Sequence, residues 1–286
     1  MENNKKRSIK ILVLSDIHLG TYGCHAKELL QYLKSISPEK VILNGDIIDI
    51  WQFKKRYFPK SHMKIIKHIV GWISKGIPVH YITGNHDEML RKFEGFQLGS
   101  FKIHNQYILN IDNTSCWFFH GDVFDITMQH ARWLTKVGAI GYDFLILVNT
   151  FVNFFCRIFG RRRVSLSKKI KDSVKGAVSF VNSFEKTVTD NAIAMGYDKV
   201  FCGHIHQAQI SKFSTSKGST VYLNSGDWVE NLTALEYNDT NWQLYTHPKD
   251  ALHSNITTSV SNKLDTIDQS PKELFQSMLN EFNLQK

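Results

Sequence analysis

Short apolar runs rich in β-branched residues recur along the chain, and each ends at a cluster of polar residues. They occupy residues 9–14, 41–43, 79–82, 116–119, 199–202 and 221–223. Segments with apolar positions at helical spacing lie between the first three runs, at residues 26–36 and 63–74. This succession of strand, polar loop and helix predicts an α/β fold with its functional site at the carboxyl ends of the strands.

The segment from about residue 125 to 195 interrupts this pattern. It is strongly apolar over residues 144–156 and then strongly basic, with the periodicity of helices. We therefore expect a helical cap inserted into an α/β domain of residues 1–248. The remaining residues, 249–286, are rich in Ser, Thr, Asn and Asp and are expected to form a polar tail, in which the pattern allows a short helix over residues 272–282.

The polar clusters at the strand ends contain residue types that bind metal ions. Asp16 and His18 are two positions apart, and because alternate residues of a strand point to the same side, both could reach one ion. His204 and His206 repeat this spacing after a later strand, where Gly203 allows the backbone to approach closely. Three further donors follow other strands, at Asp46, Asn85 and His120. The set has no sulfur, which favours Mn²⁺, Fe²⁺ or Zn²⁺ in a catalytic site over a structural zinc site.

Each of these motifs has an ordinary structural explanation when it is taken alone. Gly-Asp and Gly-Asn pairs are common in turns, and a buried His is more often a hydrogen-bonded core residue than a ligand. Five such motifs, each directly after a predicted strand, favour one shared site.

In this order the motifs resemble those of the calcineurin-like metallophosphoesterase superfamily: Asp-x-His, Gly-Asp-x-x-Asp, Gly-Asn-His-Asp, a later His, and Gly-His-x-His. The resemblance implies a four-layer αββα sandwich that holds two divalent ions, most simply Mn²⁺, about 3.5–4 Å apart. By this resemblance one ion is bound by Asp16, His18, Asp46 and His206. The other is bound by Asp46, Asn85, His120 and His204, so that Asp46 bridges the two.

The same resemblance suggests roles for three further residues. Two divalent ions with only two coordinating carboxylates leave the site positive, which attracts a phosphate group. His86 is then placed to hydrogen-bond the phosphoryl or leaving oxygen, and Asp87 to orient it. Asp49 is a candidate for a carboxylate that fixes a ligand histidine.

A narrower resemblance, over about residues 9–229, is to bacterial UDP-2,3-diacylglucosamine diphosphatases and their close relatives. The residues that carry it include His120-Gly121-Asp122-x-Phe124-Asp125, Trp133-Leu134, Tyr142-Asp143 and Ser165-Leu166-Ser167. It implies hydrolysis of the diphosphate of a UDP-linked diacyl sugar to UMP and an acylated sugar 1-phosphate in lipid A synthesis. That family usually carries Arg at the position of His86, and Arg clamps phosphate as a fork whereas His does not. Another lipid phosphate or phosphodiester therefore stays open as the substrate.

Residues 144–156 contain no charged side chain and would form a helix of about 20 Å, shorter than the ~30 Å hydrocarbon core of a bilayer. Polar residues share one face of this helix, so an amphipathic helix fits better than a transmembrane span. An ordinary buried cap helix and a surface for acyl chains or membrane fit this pattern equally well.

Charge is concentrated immediately after this segment. The chain has 35 Lys and Arg against 26 Asp and Glu, a formal net charge of +9, which suggests an anionic partner. Residues 157–175 alone carry eight basic side chains and one acidic one. A charge run is usually a solvated face, but beside an apolar helix it also suits lipid headgroups or a diphosphate. Lys168, Lys171 and Lys175 would share one helical face and are candidate substrate contacts.

The N-terminus places basic residues before apolar ones, but the apolar run at residues 11–14 is too short for a signal peptide. We therefore expect a cytoplasmic enzyme at the inner face of the cell membrane that binds a nucleotide-diphospho-lipid or another phosphorylated lipid. Nucleic acid is not an expected partner, and the oligomeric state stays open. A catalytically inactive scaffold of the same fold is the non-enzyme alternative, which the complete ligand set disfavours.

Overall fold

The computed structural model of the protein describes residues 6–50, 57–124 and 167–248, with the backbone alone over residues 167–180. The strands are β1 (Arg7–Leu14), β2 (Ile36–Asn44), β3 (Val79–Ile82), β4 (Gln97–Leu98), β5 (Phe101–His104), β6 (Gln106–Ile111), β7 (Thr114–Phe119), β8 (Lys199–Cys202), β9 (Gln209–Thr215), β10 (Gly218–Asn224), β11 (Thr233–Asn238) and β12 (Asn241–Thr246). The helices are α1 (Ala26–Ser35), α2 (Lys60–Ser74) and α3 (Ser167–Ala194), and a 3₁₀ helix spans Glu88–Phe93.

These strands form two sheets. The first has seven strands in the order β12-β11-β1-β2-β3-β5-β4, and the second has five in the order β6-β7-β8-β10-β9. Strands β1, β2, β3 and β5 are parallel to one another, and in the second sheet β7, β8 and β10 are parallel. Because parallel strands end at the same edge of a sheet, the loops that follow them gather on one side.

The two sheets face each other across an apolar core. Ile11 and Val13 of β1 pack in one cluster with Phe118 of β7, Phe201 of β8 and Leu223 of β10. Leu12 and Leu14 alternate with the first pair and are also fully buried, so β1 has apolar neighbours on both faces, as its continuous apolar sequence predicts.

Helices cover the outer faces of the sheets. Helix α1 packs on β2 and against α2, beside the first sheet. On the second sheet, Phe184, Val188 and Ala192 of α3 bury a stripe at four-residue spacing against β7, β8 and β10. The order helix, sheet, sheet, helix is the predicted four-layer αββα sandwich.

The strand and helix predictions agree closely with the structure. The runs at residues 79–82 and 199–202 coincide with β3 and β8, and the other four predicted strands lie within β1, β2, β7 and β10. The two predicted helices overlap α1 and α2.

Most of the segment assigned to a cap, residues 125–166, lies outside the described residues. Its last part belongs to α3, whose stripe of Phe184, Val188 and Ala192 forms the fourth layer of the sandwich. Phe184 also reaches the site, where its ring centroid is 6.1 Å from that of His204. The apolar residues 144–156 and the proposed tail helix at 272–282 lie outside the described residues. In the part of the chain that the structure describes, no helix is both long and apolar enough to span a membrane.

Candidate metal centre

The loops that follow the parallel strands are joined to one another by backbone hydrogen bonds. The N–H groups of Asp16 and His18 donate to the carbonyl oxygens of Gly45 and Asp46, at 3.1 and 2.9 Å. On the second sheet, the N–H of Gly203 donates to the carbonyl of His120 at 3.0 Å. The predicted ligands therefore share one edge of the sandwich.

The backbone at these positions differs from the prediction. Strand β1 ends at Leu14, before Asp16 and His18, so strand alternation does not align these two side chains. Left-handed conformations align them instead, with φ values of 50° at Asp16 and 53° at His18. Three other predicted ligands share this conformation: Asp46, His204 and His206, with φ values of 54°, 66° and 55°. Left-handed turns redirect the chain sharply after each strand, and Asp and His tolerate them better than bulky residues do.

Asp16, His18 and His206 form one cluster of donors, the His206 group. One possible ligand atom from each lies within 4.8 Å of the others. His206 Nε2 is 3.3 Å from Asp16 Oδ1, and His18 Nε2 is 4.0 Å from the same oxygen. The Asp16 side chain is fully buried, whereas that of His206 is 32% exposed.

Asp46, His120 and His204 form a second cluster, the His120 group, with the same 4.8 Å limit. His120 Nε2 is 3.2 Å from Asp46 Oδ2, and its ring is fully buried. The other ring nitrogen, Nδ1, donates to the carbonyl oxygen of Asn44 at 3.0 Å. Because a carbonyl only accepts, the proton belongs on Nδ1, which leaves Nε2 of a neutral ring free to bind an ion.

The donors of both groups fit divalent ions. Nε2 of His18 and Nε2 of His120 are buried and make no hydrogen bond, which is costly unless another partner satisfies them. His120 Nε2 is also 4.0 Å from Asp16 Oδ1, so the two groups adjoin. Asn85, predicted as a further ligand, follows β3 in the same set of loops, and its side-chain oxygen is buried. Imidazole nitrogens with carboxylate and amide oxygens suit Mn²⁺, Fe²⁺ or Zn²⁺.

Burial and neighbouring charges divide the histidines by pKa. Burial opposes protonation of His206, but the Asp16 carboxylate outweighs it and raises the pKa of His206 to about 9. In the same way burial is outweighed at His120, where Asp46 raises the pKa well above its ordinary value. At His18 burial prevails and lowers the pKa to about 4. Binding of an ion would therefore displace protons from His206 and His120 but not from His18.

His86 lies between the two groups. Its Nε2 is 4.0 Å from Asp46 Oδ2, and its ring meets the ring of His18 edge to face at 4.7 Å. Possible ligand atoms of His18, Asp46 and His86 also lie within 4.8 Å of one another. The Nδ1 atom of His86 is 3.0 Å from Asp49 Oδ2. Because a carboxylate accepts, Asp49 holds the proton of His86 on Nδ1 in the neutral ring.

The surroundings of Asp49 and Asp87 bear on the roles predicted for them. Asp49 orients His86 and also lies beside a candidate ligand, since its Oδ2 is 3.9 Å from Nδ1 of His18. Its predicted role in fixing a ligand histidine therefore stays a prediction. Asp87, predicted to orient His86, is fully buried. Its carboxylate accepts hydrogen bonds from the Tyr81 hydroxyl at 2.6 Å and from backbone N–H groups in its own loop and in the loop after β2. Asp87 thus shapes these loops, because its side chain points into the protein.

Two glycines allow the backbone to pass close to the candidate ligands. A Cβ atom on Gly84 would lie 2.2 Å from Asp46 Oδ1 and 2.8 Å from the ring of His120. A Cβ atom on Gly203 would lie 2.4 Å from Asp16 Oδ2. Any side chain at these two positions would displace a carboxylate of one group or the other.

Sequence reasoning missed two residues beside His206. Asp227 is fully buried, and its Oδ2 is 3.7 Å from His206 Nδ1. The amide of Asn231 donates to the carbonyl oxygen of His206 at 2.8 Å. The sequence contained a signal for Asp227, since Gly226-Asp227 follows β10 as Gly45-Asp46 follows β2.

The three lysines predicted to contact substrate lie in the first part of α3, where the structure describes only the backbone. They are Lys168, Lys171 and Lys175. Their helical setting agrees with the shared face predicted for them, and their role as substrate contacts stays a prediction.

Comparison with known proteins identifies relatives of this arrangement. A family model described as calcineurin-like phosphoesterase matches residues 9–208. A UDP-2,3-diacylglucosamine hydrolase of Aliivibrio fischeri is 22% identical over 254 residues, covering 82% of this chain and 97% of that protein. A protein of the same name from Shewanella frigidimarina is 21% identical over 250 residues and covers 84% and 97%. A third, from Blochmanniella pennsylvanica, is 24% identical over 241 residues and covers 82% and 94%.

Proposed function

This chain belongs to the calcineurin-like phosphoesterase family and is a metal-dependent phosphoester hydrolase, and on that premise we propose that it cleaves the diphosphate of UDP-2,3-diacylglucosamine. The products would be UMP and an acylated sugar 1-phosphate. The observation that carries this proposal is the name shared by relatives that align along most of the chain. The fold and the two donor groups at its loop edge are consistent with that chemistry.

The candidate ligands divide naturally between two ions, for which we propose Mn²⁺. The His206 group would hold one ion, the His120 group with Asn85 the other, and Asp46 would contribute to both. When bound, two divalent ions supply Lewis-acid activation of water and neutralise charge on the phosphoryl oxygens. With Asp16 and Asp46 as the only carboxylates among the predicted ligands, the loaded site keeps a positive charge that attracts a diphosphate.

His86 is the side chain best placed to act on the substrate. Its side chain is about one-third exposed, and its Nδ1 is 3.0 Å from Asp49 Oδ2. This contact leaves Nε2 facing the two groups of candidate ligands. The burial of His86 lowers its pKa, but hydrogen bonding to Asp49 outweighs this and the net pKa is raised. A larger protonated fraction at neutral pH allows Nε2 to donate a hydrogen bond or a proton to a phosphoryl or leaving oxygen.

An exposed apolar surface next to the site supports a lipid substrate. Three large side chains along the segment after Asp87 are between 47% and 58% exposed: Met89, Phe93 and Phe96. We call them the apolar collar. Arg91 of the same segment binds Asp122, two residues beyond His120, which holds the segment beside the site. The collar could shelter acyl chains while the diphosphate reaches the ions.

The same substrate would bring the enzyme to a membrane, and we propose peripheral binding to its inner, anionic face. The support is the basic run at residues 157–175, including Lys168, Lys171 and Lys175. Sedimentation with vesicles tests this: we expect salt-sensitive binding to vesicles rich in anionic lipid. Equal binding to neutral vesicles would contradict a role for the basic run.

The decisive assay follows UMP release from UDP-2,3-diacylglucosamine by purified protein loaded with Mn²⁺. Bis(p-nitrophenyl) phosphate serves as a generic substrate, and chelator-treated protein as the control. We expect metal-dependent release of UMP. Hydrolysis of the generic substrate without release of UMP would overturn the proposed substrate and leave the phosphohydrolase chemistry in place.

One residue favours a second candidate, a hydrolase of another lipid phosphate or phosphodiester. His86 presents a single ring nitrogen to the site, whereas Arg would bind phosphate as a two-pronged fork. If the substrate is UDP-2,3-diacylglucosamine, His86→Arg should retain UMP release. The second candidate would be favoured if His86→Arg hydrolyses none of that lipid but keeps the wild-type level of activity toward a simpler lipid phosphate.

A further inference from the structure

The loop between β10 and β11 packs against the His206 group from behind. The N–H of Trp228 in this loop donates to the carbonyl oxygen of Asp16 at 3.1 Å. Asn231 donates from its amide nitrogen to the carbonyl oxygen of His206 at 2.8 Å. The loop therefore holds the backbone of two of the three residues in this group.

Asp227 organises that loop. Its Oδ1 accepts hydrogen bonds from the N–H groups of Val229 and Asn231, at 2.7 and 3.2 Å, and from that of Glu230. Its Oδ2 accepts from the same Asn231 amide nitrogen at 2.6 Å. One Asn231 amide thus connects the Asp227 carboxylate to the backbone of His206, using both of its protons.

The Asp227 carboxylate also faces the ring of His206. Its Oδ2 is 3.7 Å from Nδ1, which is longer than a hydrogen bond but within the range of a charge contact. The other ring nitrogen, Nε2, points at Asp16 Oδ1 at 3.3 Å. When an ion takes the place of the proton on Nε2, a carboxylate on the Nδ1 side favours the tautomer that keeps its proton on Nδ1.

We propose that Asp227 and Asn231 are positioning residues that set the orientation and tautomer of His206, and thereby the affinity of the His206 group for its ion. The inference rests on the two-ion site of the proposed function. It also predicts that only the ion of the His206 group is affected, because the ring of His120 is held by the backbone carbonyl of Asn44 and not by this loop.

The test is a titration of wild-type protein and two variants with Mn²⁺. Asp227→Asn removes the charge, and Asn231→Ala removes the link to His206 while Asp227 can still accept the backbone N–H groups of its loop. We expect one of two Mn²⁺ sites to weaken by roughly 10–100-fold, the usual effect of losing the partner of a ligand histidine. The other site should keep its affinity. In electron paramagnetic resonance, the signal of a coupled Mn²⁺ pair should give way to that of a single ion at equal metal concentration.

Asp198→Asn is the matched control. Asp198 also accepts a backbone N–H, that of Ser115 at 2.8 Å, but it precedes β8, at the end of that strand remote from the site. Thermal unfolding of each variant shows whether it folds, and Asn231→Ala keeps the test valid if Asp227→Asn does not.

The outcomes separate this inference from the proposed function. Wild-type affinity at both sites in a folded Asn231→Ala variant, or equal weakening of both sites, would overturn the positioning role. Failure of the wild-type protein to bind two ions would instead overturn the two-ion site, and the positioning role with it.

Discussion

The His206 and His120 groups contain the same kinds of donor but are fixed in different ways. The His120 ring is fully buried, and a backbone carbonyl holds its Nδ1 at 3.0 Å. The His206 ring is 32% exposed and faces the side chain of Asp227. A ring held by the backbone depends on the fold as a whole, whereas a ring held by side chains can be altered one residue at a time. The His206 group is therefore the one whose affinity can be tuned without rebuilding the protein.

Asp46→Asn should have the largest effect, because Asp46 is placed to contribute to both ions. The variant therefore tests whether the two groups act separately. Asp46 belongs to the His120 group, yet it also clusters with His18 of the other group. If it serves both ions, the variant should lose both and turnover should fall by roughly 10³-fold or more. Metal analysis and a phosphodiester assay measure this, with the fully exposed Asp239→Asn as control. Retention of one ion at wild-type affinity would show that the groups are independent.

His86→Ala tests whether the side chain between the groups belongs to either. We expect turnover to fall by roughly 10²–10³-fold, as for loss of a proton donor, with both ions retained. Asp49→Asn should produce a smaller loss and move the pH profile, because Asp49 holds the ring of His86. Loss of an ion from His86→Ala would make His86 a ligand and join the two groups into one.

The two close-approach glycines allow the two carboxylates of the site to be displaced one at a time. Gly84→Ala should displace Asp46 in the His120 group, and Gly203→Ala should displace Asp16 in the His206 group. Each should lower turnover by about 10²-fold, the scale expected for a 1 Å misplacement. Gly71→Ala, where an added Cβ meets no atom within 4 Å, is the control. Titration with Mn²⁺ should show both sites weakened in Gly84→Ala, because Asp46 would contribute to both ions, and one site weakened in Gly203→Ala. Equal weakening of both sites in Gly203→Ala would contradict the division.

The smallest expected effect is a difference in the number of protons released when the ions bind. The pKa of His206 is raised to about 9, so its ring is protonated at pH 7 and an ion must displace that proton. The affinity of the His206 group should therefore fall about tenfold per pH unit below pH 9. Calorimetry at pH 7 in two buffers with different ionisation enthalpies measures the protons released. His206→Ala should release about one proton fewer than the wild-type protein; an equal release in the two proteins would contradict this assignment.

The sequence predicts the strands that carry the site better than the strands that complete the sheets. Each strand that leads into the site is an apolar run followed by polar candidate ligands, so two features mark it in the sequence. The predicted bounds of β3 and β8 equal the observed ones. Strand β11 lacks these features, because it contains Glu236 at a buried position. Arg7 and Tyr32 satisfy this carboxylate, with Tyr32 at 2.7 Å, and no local pattern reveals partners that lie about 200 residues away.

The site shows the same division between composition and contact. Residue types and their order in the sequence point to the candidate ligands, but they do not reveal the left-handed turns at Asp16 and His18. Adjacency in the sequence suggests Asp87 as the partner of His86. Consecutive side chains diverge, however, and Asp49, 37 residues away, makes the contact.

The left-handed residues at the site lower the stability of the folded protein, and stability affects its abundance in the cell. Each costs about 1–2 kcal/mol relative to the right-handed conformation, and Asp16, His18, Asp46, His204 and His206 all adopt it. The sheets hold these loops in a conformation that the loops alone would not favour. An ion that binds only the folded loops offsets part of this cost by mass action. Metal starvation would therefore do more than silence the enzyme: it would raise the fraction of opened molecules, and proteolysis would lower the abundance of the protein.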